Sequence, residues 1–200
     1  MSVETQEQEL TPAAQRILTA ASELFYRQGI RAVGVDLIAR EADVTKKTIY
    51  DRFGSKDVLV KVYLETLDEA WHQLIRERVE QSDLTPSNRI LAMFDIMEDE
   101  VRARGCAFIN AHAELTEPDH PALEVARQQK SWIRDYFTSL ARDAGVTDPE
   151  TLGRQLMILH EGAYVAYAMA GEQDAARDAR KAAETLLAAQ SQSEDTMPGD

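Results

Sequence analysis

One cysteine in 200 residues, Cys106, excludes an internal disulfide framework. No stretch approaches the roughly 20 uninterrupted apolar residues that a membrane-spanning helix needs, so no membrane partner is expected. The opening Met1-Ser2-Val3-Glu4-Thr5-Gln6-Glu7 is acidic and polar, the opposite of a secretory signal, and the expected location is the cytoplasm. The chain also lacks a Gly-rich phosphate loop, a zinc motif and a serine elbow. Its scattered carboxylates read as solvated helix faces, and no enzyme activity, metal or cofactor is expected. Alternation of apolar and polar residues, the mark of a half-buried strand, is missing, as is an internal repeat.

Positive charge is scarce overall, with 22 Lys and Arg against 35 Asp and Glu and a net charge of −13. The shortage is uneven. Residues 12–61 carry nine basic and six acidic side chains, a local +3, which leaves 13 basic and 29 acidic elsewhere. A mildly basic head is therefore joined to a strongly acidic body. The body can orient the head by repelling a polyanion, or it can simply keep the chain soluble.

What the chain does have is one helix signal after another. Thr11-Pro12 and Thr85-Pro86 each pair a capping hydroxyl with a proline at the first helical position, and Thr147 and Glu150 are spaced as a capping box. Gly29, Gly54, Gly105, Gly145 and Gly171 mark stops. The pattern predicts an all-α protein of about nine helices, near 12–28, 35–42, 46–52, 56–81, 87–103, 107–116, 121–143, 149–170 and 172–189. In the first of these, Ile17, Ala20, Ala21, Leu24 and Phe25 share one face. The polar ends, 1–10 and 191–200, are expected to be disordered.

Residues 35–53 carry the decisive arrangement. Two short helices flank a tight turn at Ala42-Asp43-Val44, and the second opens with Thr45-Lys46-Lys47-Thr48-Ile49-Tyr50. Val44 and Ile49 are placed to pack back onto Ile38 and Phe25, which turns Lys46, Lys47, Thr48 and Tyr50 outward. A helix N-terminus has unpaired amides and a positive dipole end that favour phosphate. Side chains in its first turn reach base edges in a major groove, lysine to guanine and threonine to a purine or a thymine methyl. Tyr50 suits a phosphate contact, and Lys56 a second one. A solvated basic face without a partner is the plainer alternative.

The run Gly29 through Leu59, GIRAVGVDLIAREADVTKKTIYDRFGSKDVL, resembles the TetR family of bacterial regulators through the glycine ending the first helix and the segments IAREA, VTKKTIY and FGSKDVL. The resemblance implies a three-helix helix-turn-helix domain at 11–55 that binds double-stranded operator DNA. It further implies a helical domain at 56–190 that binds a small-molecule effector and forms a homodimer. Carried over by position, Thr45, Lys46, Lys47, Thr48 and Tyr50 are the recognition contacts and Lys56 the backbone contact. Two positions depart from the family pattern. Asp43 stands where the turn usually has glycine, and aspartate tolerates the left-handed conformation. Gly34 stands where a serine or threonine hydroxyl is usual, so capping there rests on backbone alone. Repression is the mode the resemblance implies, with effector binding releasing a palindromic operator; a helical adaptor without DNA binding is the alternative.

Candidates for the effector pocket are Trp71, Phe94, Met97, Phe108, His112, Trp132, Tyr136, His160 and Tyr164, all of which could equally be core. His112 and His160 each interrupt an apolar run, with Glu114 and Glu161 nearby as partners. They are readable as satisfied core histidines or as effector anchors, and the spacing argues against a metal. Cys106 opens a helix. In the last two helices Leu152, Leu156, Leu159, Ala163, Tyr167, Ala179, Ala183 and Leu186 are the expected dimer interface, as a two-fold four-helix contact.

Overall fold

A computed structural model describes residues 10–80, 83–100 and 103–192. The polar ends expected at 1–10 and 191–200 lie almost wholly outside them. The described residues form nine α-helices and no strand. By packing they fall into two compact units, Met1–Thr66 with Ala111–Val125, and Leu67–Asn110 with Ala126–Asp200.

The first unit begins with α1 (Pro12–Gln28), whose first turn is fastened by Thr11 Oγ1 accepting the Ala14 N–H at 3.3 Å. Its apolar face is the one the sequence predicts: Ile17, Ala20, Ala21, Leu24 and Phe25 are all buried. Helices α2 (Val35–Glu41) and α3 (Lys46–Phe53) pack on it through Ile38, Ile49 and Phe53. The turn between them is made by Asp43 at φ 51°, the one non-glycine residue with positive φ among those described. Asp43 thus takes the left-handed conformation expected of it. Arg16 Nε pins the same turn by donating to Ala42 O at 3.2 Å. Gly34 caps α2 through its backbone, φ −88° and ψ 159°, with no side-chain bond.

Helix α4 (Lys56–Ile75) supplies Leu59, Val60 and Leu64 to the core of the first unit and continues through Leu67 into the second. A π-helical turn, Arg76–Glu80, ends it. The second unit adds α5 (Pro86–Glu100), the first turn of α6 (Ala107–Glu114), most of α7 (Pro121–Asp143), α8 (Pro149–Val165) with a π-helical turn at Ala166–Ala170, and α9 (Ala175–Gln192). Helix α9 packs against α5 and α8, and Arg177–Glu98 at 3.0 Å and Arg180–Asp95 at 2.8 Å tie α9 to α5. Helices α7 and α8 approach closely at Gly153, where a Cβ would lie 2.1 Å from Thr138 Oγ1. Any larger residue there must push the helices apart.

Two local expectations are corrected. The cap of α8 is Asp148, whose Oδ1 accepts the Thr151 N–H at 3.0 Å, and the box between Thr147 and Glu150 does not form. Glu150 is instead drawn to Arg142 at 3.1 Å. Helix α9 starts at Ala175, not at Glu172, because Gly171 at φ 75° breaks the chain direction and the residues after it form a turn.

Candidate nucleic-acid interface and bundle interior

Helix α3 is held inward by Ile49 and Phe53, four residues apart on one face. That registration leaves Thr45, Lys46, Lys47 and Tyr50 exposed, Tyr50 by 48 %. Thr48 is half-buried, which differs from the outward position expected of it. Its hydroxyl lies 2.8 Å from that of Thr45, which also accepts the Thr48 N–H at 3.1 Å. The two threonines therefore form the cap that fixes where α3 begins.

Both lysines carry intramolecular partners. Lys46 Nζ sits 2.6 Å from Asp36 Oδ1 on α2, and that hydrogen bond, with the aspartate charge, raises the lysine above its ordinary pKa. Lys47 Nζ pairs with Asp51 one turn on, at 2.7 Å. Exposed pairs of this kind are weak and screened by salt, so a polyanion competes for both ammonium groups. Lys56 is placed differently from a free phosphate clamp. It is half-buried, donates to Ile30 O at 2.6 Å and lies 6.0 Å from the centre of the Phe25 ring. Burial pushes its pKa down. Its ammonium fastens the loop after α1 to the start of α4.

Within the second unit, His160 is 1 % exposed and ringed by aromatic side chains: Tyr164 at 5.3 Å, Phe137 at 5.8 Å, Phe94 at 6.1 Å and Trp71 at 6.2 Å between centroids. Its Nδ1 lies 3.3 Å from Glu161 Oε1, and Glu161 also pairs with Lys130 at 2.8 Å. Lys130 Nζ in turn lies 3.2 Å from Cys106 Sγ. Burial works against the Glu161 carboxylate, but the His160 and Lys130 contacts outweigh it and hold the group ionised. Burial pushes the His160 pKa down, against Glu161, so the ring is neutral. Trp132 stacks on Tyr136 at 4.8 Å and meets the half-buried His72 at 4.2 Å.

Of the pocket residues read from sequence, Trp71, Phe94 and Tyr164 meet around His160, and Met97 lies in the same core. Phe108 is buried nearer Lys130, 5.8 Å from its Nζ. His112 is a correction. It is exposed, because the inward positions there are taken by Ala111 on α6 and by Leu115 just past its end. Sequence reading missed Gln129, Lys130 and Phe137, which α7 brings to the same interior; their spacing with Ile133 was the available signal. A cavity of about 230 Å³ is lined by Gly105, Cys106, Ile109, Asn110, Tyr164, Ala168 and Met169. A larger open groove of about 650 Å³, over Gln15, Thr19, Glu23, Arg27 and Asp43, belongs to the first unit and touches no bundle residue.

The expected dimer residues are also distributed in a way the periodicity did not reveal. Leu152, Leu156, Ala163, Ala179 and Ala183 are buried in the chain's own core, and Leu159, Tyr167 and Leu186 are half-buried. The large apolar residues exposed on this part of the chain are Ile158, Val165 and Met169, at 68 %, 43 % and 84 %.

Two short helices across a turn with a left-handed centre, the second offering a capped N-terminus and two cations to solvent, define a helix-turn-helix DNA-binding protein. Residues 17–63 match the family model of bacterial regulatory proteins, tetR family. SCO4454, a TetR-family transcriptional regulator from Streptomyces coelicolor, has a similar structure, with a TM-score of 0.83 and 31 % identity over 90 % of this chain and 96 % of its own. The HTH-type transcriptional regulator YjdC of Escherichia coli is 26 % identical over 149 residues, 73 % of this chain and 78 % of YjdC. The HTH-type transcriptional activator FasR of Mycolicibacterium smegmatis is 30 % identical over 137 residues, 66 % of this chain and 60 % of FasR. The chain belongs to the TetR family: it is a DNA-binding transcriptional regulator, not an enzyme. Among the described residues no helix is long and apolar enough to cross a membrane.

Proposed function

We propose that this regulator is a cytoplasmic repressor that holds a palindromic operator as a homodimer and leaves it when a small molecule enters the bundle of the second unit. Residues 11–55 read the DNA, and residues 56–190 bind the effector and dimerise. The single observation carrying this reading is α3, whose exposed first turn presents Lys46, Lys47 and Tyr50 while Ile49 and Phe53 anchor it from behind. Lys46 and Lys47 exchange their carboxylate partners for base edges and phosphate, Tyr50 donates to phosphate, and the Thr45 and Thr48 hydroxyls complete the contact. Lys56 supports the phosphate side while it holds Ile30.

Dimerisation brings two such helices to one face of the duplex, about 34 Å apart for successive major grooves. Ile158, Val165 and Met169 support it: an exposed apolar stripe along α8 and its π-turn asks for a partner, with Leu159, Tyr167 and Leu186 at its edges. The switch is geometric. Helix α4 carries residues of both units, so repacking around His160 alters the spacing of the two heads. A differential affinity of a few kcal/mol, typically about 1–3 per coupled site, is enough.

Selection from a random DNA pool supplies the operator, and fluorescence anisotropy with the enriched duplex gives its affinity. Affinity independent of salt, or enrichment of no inverted repeat, overturns the DNA-reading part. Deleting the gene raises transcription from the operator-bearing promoter if the chain represses; a fall, the behaviour of an activator, overturns repression.

A further inference from the structure

The packing around His160 leaves polar atoms unpaired. Glu161 is an ionised carboxylate and only accepts, so the neutral His160 ring carries its proton on Nδ1 and presents a bare lone pair at Nε2. That Nε2 has no hydrogen-bond partner, although the residue is 1 % exposed. Trp71 Nε1–H, on the ring 6.2 Å away, is a buried donor with no acceptor. Gln129 Oε1 is a second unpaired buried acceptor. Gln129 lies two helical turns before Phe137 on one face of α7, and the Phe137 ring contacts His160. Buried polar atoms without partners are rare and costly, and His160 Nε2 and Trp71 Nε1, on neighbouring rings of one aromatic interior, call for a molecule that supplies what is missing.

The missing groups define that molecule. An acceptor is needed for Trp71 and a donor for His160. A hydroxyl group does both at once, accepting from Trp71 Nε1 and donating to His160 Nε2. Flat aromatic walls from Trp71, Phe94, Phe137 and Tyr164 suit a ring. Glu161 and Lys130 are spent on one another at 2.8 Å, and Asp68, one turn before Trp71, lies 3.6 Å from His72 Nε2, so no cation among the described residues around His160 is left free to balance an anionic ligand. Tyr164 borders both His160 and the cavity of about 230 Å³ beside Cys106 and Ile109. That cavity is below the roughly 300–1,000 Å³ of ordinary ligand sites.

We propose that the effector of this regulator is an uncharged, hydroxyl-bearing aromatic molecule, anchored through its hydroxyl by His160 Nε2 and Trp71 Nε1 and admitted by displacement of Tyr164. The proposal rests on the reading of the second unit as an effector domain and specifies what that domain takes.

Three probes of matched shape test it on the full-length protein: 2-naphthol, naphthalene and 2-naphthoate, followed by calorimetry. The expected order puts 2-naphthol at least tenfold tighter than either of the others. His160→Phe and Trp71→Phe keep the aromatic walls and remove one polar partner each, so both reduce the naphthol-over-naphthalene preference about tenfold. His160→Gln, checked for native circular dichroism, serves if the phenylalanine variant does not fold. Equal binding of naphthol and naphthalene, a preference for the carboxylate, or a preference unchanged in folded His160 and Trp71 variants overturns the proposal while an effector site stands. Failure of 2-naphthol to bind also overturns it. The effector-domain reading fails separately, if a broad library of small molecules yields no thermal shift and none changes operator affinity.

Discussion

The Glu114 carboxylate occupies the space that a Cβ on Gly29 would need: the built Cβ would lie 2.9 Å from Oε2 and 3.0 Å from Oε1. The same carboxylate accepts the Arg31 N–H at 3.0 Å, while Lys56 takes the Ile30 carbonyl between them. The last residue of α6 and the first of α4 therefore grip the loop that leads from α1 to α2. All of these residues belong to the first unit.

Gly29 has two reasons to be glycine, and they separate experimentally. Its φ of 93° with ψ of 149° is a region that side-chain-bearing residues avoid, apart from the Glu114 contact. Gly29→Ala is expected to destabilise by about 1–3 kcal/mol in urea unfolding. In a Glu114→Ala background the steric part disappears and the backbone part persists, so the added cost of Gly29→Ala falls without vanishing. An undiminished cost in the double-mutant cycle shows that Glu114 does not press on this position.

Removing the two cations of α3 tests the DNA face. Lys46→Ala with Lys47→Ala is expected to abolish specific operator binding and leave the circular dichroism and melting curve unchanged. Each single change lowers the slope of log affinity against log salt by about one if that lysine meets a phosphate. Because Asp36 holds Lys46 at 2.6 Å, Asp36→Asn frees the ammonium and is expected to tighten binding several-fold at low salt, with the gain fading as salt screens the pair. Operator affinity unaffected by the double lysine change places the recognition surface elsewhere.

Acid is expected to weaken the fold through His160. Its folded pKa lies below the ordinary 6.5 because burial excludes the charged ring. The unfolded chain consequently binds more protons in the window just below pH 6.5, and stability falls as pH drops through it, by up to about 1.4 kcal/mol per unit. Glu161, held below its ordinary 4.5, adds a second loss beginning near pH 4.5. Urea midpoints from pH 8 to 5 show this slope in the native protein, and His160→Phe flattens the upper part of it. The same slope in the variant assigns the effect to other groups.

Breaking the apolar stripe separates dimerisation from folding. Val165→Glu with Met169→Glu adds charge at positions 43 % and 84 % exposed, so the protomer tolerates it. Light scattering is expected to report a monomer, and operator affinity to drop by two or more orders of magnitude as the second half-site contact is lost. A dimer that survives both changes locates the interface on another face.

What the sequence determined by itself is local. Helix period, capping hydroxyls at Thr11 and Thr85, and the glycines at 29, 54, 105, 145 and 171, each at positive φ, follow from steric and hydrogen-bonding rules that act within a few residues. Asp43 was readable for the same reason, and so were Lys46, Lys47 and Tyr50 as the outward side of α3, because burying Ile49 turns them to solvent; Thr48 was not, since it is half-buried in the cap with Thr45. What only the tertiary structure decided is which of two similar residues faces the interior. His112 and His160 both interrupt apolar runs, yet one is exposed and the other buried. Leu156 and Ile158 sit two residues apart on one helix, with one in the core and the other in solvent. The partners of Lys56 and Glu114 are likewise remote, 26 and 83 residues away along the chain. Periodicity states that a helix has an apolar side; the rotation of that side, and the group that meets it, depend on helices far along the chain and on how their volumes fit.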